Sequence, residues 1–364
     1  MSHTTFELPA VEEMRRAFAT KDPAYNGMFF VAVRTTGVFC RPVCRAKPPR
    51  AENIEFFPTA REALLSGYRA CKLCRPLEPT GARPALVTRL LELVESSPEQ
   101  RVTGDALREL GIDPSTARRQ FQAHCGTSFA AYQRARRLGS AVVEMRDGRS
   151  ATFAGVGAGF QSSSAFRDAI ERTFGLPTSQ LAGAAVLTSA WLATPLGNML
   201  AVAHDDGIVL LDFADRATLE PTIAKLRARF ASRGTHAVIV PGEHRHLSML
   251  ATELMEYFAG TRRTFTVPVS PAGTDFERRA WDALRAIPFA ETRSYGQQAI
   301  AMGDARAVRA VGRANGRNTI NIIIPCHRVI AASGDLTGYG GGLARKQWLL
   351  SHERSIAAKS GHFG

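Results

Sequence analysis

The sequence predicts a multidomain α+β protein, and three changes of pattern along its 364 residues support that prediction. Two close pairs of cysteines lie near the amino terminus. A long section with helical periodicity follows, and short strands alternating with helices begin near residue 186. A chain of this length is sufficient for two to four domains, so each pattern can correspond to a folded unit of its own.

The composition is that of a globular protein that contacts a polyanion. Hydrophobic residues make up 45% of the chain and charged residues 22%, and 46 Lys and Arg against 33 Asp and Glu give a net charge of +13. Such an excess favours surfaces that face nucleic acid. The segment Met1–Ala10 has no signal-sequence character, and no apolar run is long enough to cross a membrane. We therefore expect a cytoplasmic protein without a membrane partner.

Four of the six cysteines have the spacing of a metal site. Cys40 and Cys44 form one pair, and Cys71 and Cys74 form the other. In a chain expected to stay in a reducing compartment, two close thiol pairs predict one tetrahedral Zn²⁺ in a small α+β domain. A purely structural zinc is the usual role of four cysteines, and spacing alone leaves that alternative open. Cys125 is expected to be a core residue at the end of a helix.

The helical section predicts two helix-turn-helix units joined by one helix. The first pair covers Asp105–Leu110 and Ser115–His124, and the second covers Thr152–Ala158 and Ser162–Phe174. Between them, Phe129–Glu144 has the pattern of a connecting helix that carries Arg134, Arg136 and Arg137. The second helix of each pair is expected to read DNA, with the candidates Ser115, Thr116, Arg118, Arg119, Gln161, Ser163, Ser164 and Arg167. Two copies, with the segment Gly-Phe-Gln-Ser-Ser-Ser-Ala-Phe-Arg-Asp-Ala-Ile at 159–170, resemble the AraC-type transcription activators.

The next section predicts a small α/β unit. Strands are expected at Trp191–Thr194, Met199–Ala203 and Ile208–Phe213, separated by two hairpin-type breaks. Helices are expected at Leu219–Phe230 and His244–Phe258. This unit is predicted to support the carboxyl-terminal part of the chain.

Near the carboxyl terminus, a thiol and an imidazole adjoin an apolar run. Ile322–Ile324 has the character of a strand and leads through Pro325 to Cys326 and His327. A base that removes the proton of a thiol makes it a nucleophile. A buried core cysteine beside a satisfied histidine is the alternative for such a pair alone.

Upstream of this pair, the spacing of arginines predicts a basic helix face. Asp304 is a plausible N-cap, and Arg306, Arg309, Arg313 and Arg317 recur at intervals of three, four and four among small residues. A solvated basic face is the ordinary interpretation of such spacing. Small intervening residues would in addition allow the helix backbone to approach a polyanion closely.

The motif Pro-Cys-His-Arg-Val at 325–329, with Arg-Ala-Val-Gly at 309–312 and Tyr-Gly-Gly-Gly-Leu at 339–343, resembles the O6-alkylguanine-DNA alkyltransferases. The resemblance implies a ribonuclease H-like α/β subdomain followed by a helical, winged-helix-like catalytic domain. It also implies that Cys326 accepts an alkyl group irreversibly from O6 of a flipped guanine, and from O4-methylthymine as well. His327 would deprotonate Cys326 through a water, and Glu353 would orient His327. By the same resemblance, Asn318 would connect the active-site turn to the DNA-binding helix, and Tyr295 would assist the leaving guanine. Arg309 would replace the flipped base in the stack, and Arg313 and Arg328 would contact DNA.

Two positions depart from the alkyltransferase pattern. Thr319 stands where the family usually has proline, and Gly340 stands where a serine is common. The glycine lacks a side chain that could contact the guanine. We therefore expect the reaction to follow the family more closely than the substrate preference does.

The amino-terminal segments 27–46 and 71–76 resemble the methyl-phosphotriester domain of the bacterial Ada family. This resemblance implies that Cys40 accepts a methyl group from a DNA phosphotriester while bound to zinc. Four thiolates on Zn²⁺ carry two negative charges in total, and methylation of one removes a charge that repels phosphate. The neighbouring basic residues Arg34, Arg41, Arg45 and Lys47 are expected to contact DNA.

Together these patterns predict four domains and a dual function. The expected boundaries are 1–80 for the zinc domain, 84–183 for the double helix-turn-helix, and 186–268 and 269–357 for the two parts of the alkyltransferase. The function implied is repair of methylated DNA by transfer to cysteine, with Cys40 methylation switching on promoter binding. Expected partners are double-stranded DNA and RNA polymerase, and the chain is expected to be a monomer. The alternative is a DNA-binding regulator with a structural zinc and a sensor domain that binds alkylguanine without transferring anything.

Overall fold

The computed structural model describes residues 8–22, 25–77, 84–181, 183–216, 218–232 and 234–360. Residues 1–7 of the expected first domain lie outside this range. Within it, the chain forms fourteen α-helices and ten strands, and the helical and sheet-containing sections follow one another as predicted. The multidomain α+β fold class is therefore confirmed.

The amino-terminal part is a four-stranded sheet with two helices. The elements are α1 (Val11–Thr20), β1 (Phe30–Val33), β2 (Val38–Cys40), β3 (Ile54–Phe57), α2 (Ala60–Leu65) and β4 (Arg69–Ala70). The strand order is β3-β1-β2-β4, and only the pairing of β2 with β4 is parallel. Because parallel strands end at the same edge of a sheet, the segments that follow β2 and β4 lie side by side.

Six helices form the second part of the chain. They are α3 (Ala85–Ser96), α4 (Gly104–Glu109), α5 (Pro114–Cys125), α6 (Phe129–Arg146), α7 (Ala151–Gly157) and α8 (Ser163–Phe174). The side chain of Asp113 accepts the Thr116 N–H at 2.8 Å and begins α5, and Ser162 accepts the Ala165 N–H at 3.2 Å and begins α8. The two predicted helix-turn-helix pairs and the connecting helix are confirmed.

The third part is a four-stranded sheet with two helices. Its elements are β5 (Ala185–Thr194), β6 (Gly197–His204), β7 (Gly207–Phe213), α9 (Leu219–Ala231), β8 (Ala237–Pro241) and α10 (Arg245–Ala259). The order is β7-β6-β5-β8, with β5 and β8 parallel. All seven residues of β7 are buried although it is an edge strand, because Ile208 and Leu211 also form bridges to Val269 and Ile320 of the following part.

The last part is mainly helical. It contains α11 (Asp275–Arg285), β9 (Arg293–Ser294), α12 (Tyr295–Ala301), α13 (Val308–Gly316), β10 (Val329–Ile330) and α14 (Leu343–Ser360). The N-cap of α13 is Ala307, whereas Asp304 accepts the backbone N–H of Arg306 in the turn before the helix. The prediction of Asp304 as the N-cap was therefore wrong by three residues, because Asp304 stabilises the preceding turn instead.

The predicted strand at Ile322–Ile324 was also wrong. These residues form a turn in which Ile322 has a φ of 72°, a left-handed conformation that no regular strand contains. The three isoleucines are nevertheless buried, with 1%, 7% and 0% of their surface exposed. The apolar run therefore marks a buried turn that presents Cys326, because burial and not strand pairing determines its composition.

Close packing joins the parts of the chain, and two of these contacts bear on the arrangement of the domains. Helix α6 packs on the edge strand β8 so closely that a Cβ built on Gly139 would lie 2.8 Å from Val240 Cβ. On the other side, Met14 and Phe18 of α1 belong to a buried cluster that includes Ala344 and Trp348 of α14. The zinc-domain core thus adjoins the last helix.

Candidate functional sites

Asn318 and Cys326 are joined directly in the turn that follows α13. The Asn318 Nδ2 group donates to the carbonyl of Ile324 at 2.8 Å and to Cys326 Sγ at 3.1 Å, while its Oδ1 accepts the Ile320 N–H at 2.9 Å. Cys326 is 4% exposed, and this burial raises the pKa of its thiol although the Asn318 hydrogen bond acts in the opposite direction. The thiol therefore needs a base before it can act as a nucleophile near neutral pH.

His327 and Glu353 form a fully buried pair next to Cys326. His327 Nε2 lies 2.9 Å from Glu353 Oε1, and neither side chain is exposed. The Glu353 carboxylate also accepts from the Tyr257 hydroxyl at 2.8 Å and from the Ala290 N–H at 3.0 Å. Burial disfavours the charged form, but hydrogen bonds and charges of His327 and Arg328 hold the pKa of Glu353 well below its usual range.

This arrangement determines which nitrogen of His327 can act as a base. Because Glu353 is ionised and only accepts, the proton of neutral His327 lies on Nε2. Nδ1 is then an acceptor, and it has no hydrogen-bond partner within the described part of the chain. Burial lowers the pKa of His327, so the imidazole is neutral at physiological pH. The pair therefore provides an oriented general base.

Arg328 is part of this buried network. Its side chain donates to both Glu353 oxygens at 3.0 Å and to the Ile287 carbonyl at 2.7 Å, and the residue is 7% exposed. The prediction that Arg328 contacts DNA is therefore corrected, because the buried carboxylate of Glu353, the one carboxylate it meets among the described residues, holds it inside.

Three further residues near the site were missed by the sequence analysis. Lys346 is 0% exposed and donates through Nζ to the carbonyls of Val329 and Thr337, and burial lowers its pKa to about 8. Tyr257 donates to Glu353 from helix α10. Arg216 approaches the loop around Gly340 from the end of β7. Sequence separation concealed all three, because each comes from an element outside the Cys326 motif.

The residues of this part that are expected to face DNA lie at the start of α12 or on and beside α13. Tyr295 is half-buried at the start of α12, and its hydroxyl donates to the Thr337 carbonyl at 3.2 Å. Arg309 and Arg313 are exposed on α13. Arg306 precedes this helix and Arg317 is its C-cap, so the predicted four-arginine helical face contains only two helical arginines.

The four amino-terminal cysteines converge as the metal prediction requires. Cys40 ends β2 and Cys71 follows β4, and the Cys71 N–H donates to the Phe39 carbonyl at 3.0 Å. The sulfur atoms of Cys40, Cys44, Cys71 and Cys74 all lie within 4.8 Å of one another. A four-thiolate donor set of this compactness fits a single Zn²⁺ ion. Exposure does not distinguish Cys40 as the expected methyl acceptor, because Cys40 is 7% exposed while Cys71 and Cys74 are half-buried.

The basic residues around these cysteines differ in accessibility. Arg45 and Lys47 are exposed, and Arg34 lies 3.7 Å from Glu55. Arg41 is 6% exposed and donates to the carbonyls of Cys74 at 3.2 Å and Arg75 at 3.3 Å. The prediction of Arg41 as a DNA contact is therefore corrected, because its guanidinium ties the two cysteine loops together.

The predicted base-reading residues are accessible on the second helix of each pair, except that Gln161 lies in the turn before α8. Thr116 is half-buried, and the other seven are exposed, namely Ser115, Arg118, Arg119, Gln161, Ser163, Ser164 and Arg167. Cys125, at the end of α5, is fully buried as expected.

A cavity of about 540 Å³ lies between the two helix-turn-helix units. Four arginines line it: Arg101, Arg118, Arg134 and Arg137. Burial and the charges of Arg101 and Arg134 lower the pKa of Arg137, and its buried Nε has no hydrogen-bond partner in the described residues. Arg136, between them on α6, differs because it pairs with Glu95 at 3.0 Å. This cavity therefore concentrates positive charge that the described part of the protein does not neutralise.

Within the described part of the chain, no helix combines the length and apolar character needed to span a bilayer.

Comparisons with known proteins match every section of the chain. Four family models match: the metal binding domain of Ada at 13–77, a helix-turn-helix domain at 107–183, and the ribonuclease-like domain and DNA binding domain of 6-O-methylguanine DNA methyltransferase at 187–271 and 275–355. The first of these models confirms the expected zinc site at the four cysteines.

Individual relatives extend this result to nearly the whole length. The bifunctional transcriptional activator/DNA repair enzyme Ada of Escherichia coli is 36% identical over 92% of this chain and 93% of its own. A methylated-DNA–protein-cysteine methyltransferase of Mycobacterium tuberculosis is 46% identical over 42% of this chain and 91% of its own. Among solved structures, the methylated N-Ada/DNA complex is 35% identical, covering 35% of this chain and 98% of that chain with a TM-score of 0.29. Because one relative is more than one-third identical along almost all of both chains, this protein belongs to the Ada family.

Proposed function

We propose that the protein repairs methylated DNA by irreversible transfer to two of its own cysteines and activates transcription when one of them is methylated. Cys326 takes methyl from O6-methylguanine and from O4-methylthymine, and Cys40 takes methyl from methylphosphotriesters. The observation that carries the first reaction is the 2.9 Å contact between His327 Nε2 and Glu353 Oε1, which leaves Nδ1 as a base beside Cys326.

The chemistry at Cys326 follows from these contacts. His327 Nδ1 removes the thiol proton through a water, and Glu353 stabilises the imidazolium that forms. The Asn318 amide donates to the sulfur and favours its thiolate form. Sulfur then attacks the methyl carbon and forms a thioether, which contains no labile bond. Each molecule therefore acts once at this cysteine.

The substrate base must leave the duplex before this reaction, at a cost of a few kcal/mol. We assign Arg309 the role of filling the vacated space in the stack, because it is exposed on α13 and its neighbours on that helix are small residues. Arg313 contacts the backbone from the same helix. Tyr295 lies across from Gly312 of α13 and assists the departing guanine.

At the amino terminus, the zinc ion would be held by Cys40, Cys44, Cys71 and Cys74. When bound, it would keep the four sulfurs as thiolates at neutral pH. The assignment of Cys40 as the methyl acceptor rests on resemblance. Exposed Arg45 and Lys47 are suited to contact the DNA backbone near this site, and Arg34, exposed just after β1, is suited to the same role.

Promoter recognition is assigned to α5 and α8, through the accessible residues described above. The cavity lined by Arg101, Arg118, Arg134 and Arg137 supports this assignment, because it would accept a backbone phosphate beside the recognition helix α5. We further propose that the chain acts as a cytoplasmic monomer, associates with the nucleoid through DNA, and contacts RNA polymerase when it activates transcription.

The alternative is a regulator with a structural zinc and a sensor domain that binds alkylguanine without transfer. Intact mass after exposure to duplex DNA containing O6-methylguanine distinguishes the two functions. We expect the mass to increase by one methyl group, and peptide mapping to place it on Cys326. Cys326→Ala should abolish the gain while DNA binding persists. An unchanged mass of the wild-type chain would favour the sensor.

A duplex containing methylphosphotriesters tests the second acceptor in the same way. We expect a methyl group on Cys40 in wild type and in Cys326→Ala, and none in Cys40→Ser. Transfer to Cys71 or Cys74, the more exposed thiols of the four, would contradict the assignment of Cys40.

A further inference from the structure

The loop that closes over Cys326 contacts an arginine from another part of the chain. Arg216 lies just after β7, in the α/β unit, and Gly340 lies in the loop before α14. A Cβ built on Gly340 would lie 2.8 Å from Nη2 of Arg216, 3.0 Å from Cζ and 3.1 Å from Nη1. The guanidinium therefore occupies the space that a side chain at position 340 would need.

Arg216 is held in this place by a buried carboxylate. Its Nη1 donates to Asp212 Oδ1 at 2.7 Å and to Oδ2 at 2.6 Å. Asp212 is 0% exposed and also accepts from Asn321 Nδ2 at 2.8 Å, in the turn between Asn318 and Cys326. Because only Nη1 is used, Nη2 makes no hydrogen bond to the described part of the chain and lies at Gly340. The guanidinium is thus fixed on one side and available on the other.

The same guanidinium acts electrostatically on the reacting group. Although burial raises the pKa of Cys326, the charge of Arg216 is among those that lower it. Burial likewise raises the pKa of Tyr339, next to Gly340, and the charge of Arg216 is again among those that act in the opposite direction. A cation that influences both residues lies within short range of the site where the alkylated base must be placed.

We propose that Arg216 is a specificity-determining residue that donates a hydrogen bond from Nη2 to O6 of the flipped guanine. The inference rests on the proposed methyl transfer to Cys326. Gly340 stands where a serine is common in the alkyltransferases, and a side chain at this position would force the guanidinium to shift.

The reaction explains why a cation at this position is useful. The Sγ–CH₃ bond forms as the O6–CH₃ bond breaks, and the bonding electron pair stays on O6. The proton removed from Cys326 is returned to the purine, so the products are a thioether and unmodified guanine. Arg216 keeps its own protons and stabilises the negative charge that develops on O6, where an interaction that strengthens in the transition state increases the rate.

A comparison of two substrates tests this role. Full-length wild type and Arg216→Gln are mixed with duplexes containing O6-methylguanine or S6-methyl-6-thioguanine, in which a weakly accepting sulfur replaces O6. We expect Arg216→Gln to lower the single-turnover rate at saturating O6-methylguanine DNA by about tenfold or more. The reduction should be much smaller with the sulfur substrate. An equal reduction with both substrates, or none with either, would overturn the proposal.

Arg229→Gln is the matched control. Arg229 also pairs with a buried carboxylate, Glu277, at 2.9 Å, but it lies on α9 away from Gly340. We expect wild-type rates for this variant with both substrates. The pH dependence provides a second readout, because loss of the Arg216 charge should move the ionisation of Cys326 to higher pH while Arg229→Gln leaves it in place.

Gly340→Ser leaves both Asp212 and Arg216 in the chain, so no buried charge loses its partner residue, and it therefore tests the proposal even if Arg216→Gln does not fold. The serine should displace the guanidinium and slow transfer. In Gly340→Ser/Arg216→Ala the serine can occupy the released space, and the rate should exceed that of Gly340→Ser alone. A double variant slower than both Gly340→Ser and Arg216→Ala would contradict the idea that the serine and the guanidinium compete for one space. If the wild-type chain itself transferred no methyl to Cys326, the proposed function would fall, and this inference with it.

Discussion

Glu353 fixes the tautomer of His327, because its ionised carboxylate can only accept a hydrogen bond from Nε2, which lies 2.9 Å away. The same carboxylate is bound by Arg328, Tyr257 and the Ala290 N–H. One side chain of α14 thereby sets the geometry of the base and supports the turn that contains Cys326. Loss of Glu353 should affect both reactivity and stability.

Glu353→Gln should slow methyl transfer to Cys326 without abolishing it, because His327 remains but its orientation and imidazolium are less well stabilised. It should also lower the free energy of unfolding by about 3–5 kcal/mol, since the buried Arg328 loses its anionic partner. Single-turnover kinetics and chemical denaturation measure the two effects. Glu291→Gln, which removes an exposed partner of Arg293, is the control and should change neither.

The pH dependence of transfer should follow His327. Burial lowers the pKa of His327 below its ordinary value of 6.5, so the free base persists into mildly acidic solution and activity is lost only as pH falls through that lowered pKa. Burial raises the pKa of Cys326 above 9.0, so thiolate does not accumulate at neutral pH. We expect a rate that is constant across neutral pH and declines only on the acid side, below 6.5.

The direction in which Glu353→Gln moves the acid decline tests whether His327 is the group that controls it. Glu353 raises the pKa of His327 against the larger effect of burial, so its removal should move the acid decline to lower pH while the plateau falls. Rates measured from pH 5 to 9 would show this, since those limits span the acid side and the neutral plateau. A decline that moves to higher pH would mean that another group controls the reaction.

The helices of the double helix-turn-helix could be predicted from sequence because local signals determine them. Asp113 and Ser162 are N-caps, and Gly126 and Gly175 end the two recognition helices in the left-handed conformation. The cysteine pairs were predictable for a similar reason, since ligand spacing is itself local. These signals do not depend on how the rest of the chain folds.

The errors concern residues whose environment is set by distant segments. Ile322–Ile324 is as apolar as a strand, but its partners are core residues and not a neighbouring strand. Arg328 and Arg41 were expected at the surface because arginine usually is, and both are buried by partners far away in sequence. Arg216 could not be linked to Gly340 without the fold, because more than one hundred residues separate them.

Arg309→Gly should reduce base flipping more than general DNA affinity. One lost cation changes the salt slope of binding by only about one unit, whereas the loss of a side chain from the stack removes what stabilises the extruded base. A fluorescent base analogue next to O6-methylguanine would report extrusion, and titration of unmodified duplex would report affinity. Arg306→Gly is the control, because Arg306 is exposed but precedes α13. Equal losses of extrusion in the two variants would argue against a wedge at position 309.

Arg137→Ala should weaken promoter binding to a similar extent on every DNA sequence. Arg137 lies in the four-arginine cavity between the helix-turn-helix units, where a phosphate contact would carry no sequence information. The slope of log affinity against log salt should fall by about one unit. Arg172→Ala should leave that slope unchanged, since the Arg172 Nε donates to the Asp168 carbonyl of its own helix. Selective loss of binding to one promoter sequence would instead identify Arg137 as a base reader.

The zinc site should be both structural and regulatory, and two groups of cysteine variants separate these roles. Chelation should unfold the amino-terminal domain, because binding of a structural zinc is worth on the order of 10–16 kcal/mol of folding free energy. Cys44→Ser, Cys71→Ser and Cys74→Ser should lose the fold, whereas Cys40→Ser should lose phosphotriester repair and the damage-dependent rise in promoter affinity.

Methylation of Cys40 alone removes one negative charge near exposed Arg45 and Lys47, and it should therefore tighten promoter binding. The gain should shrink as salt increases, because exposed charges are screened. Footprinting of the unmethylated and the Cys40-methylated chain at low and high salt measures this, with Cys326-methylated protein as the control that should bind like the unmodified form. Equal affinities at low salt would reduce the four cysteines to a structural role and leave transcription activation without its switch.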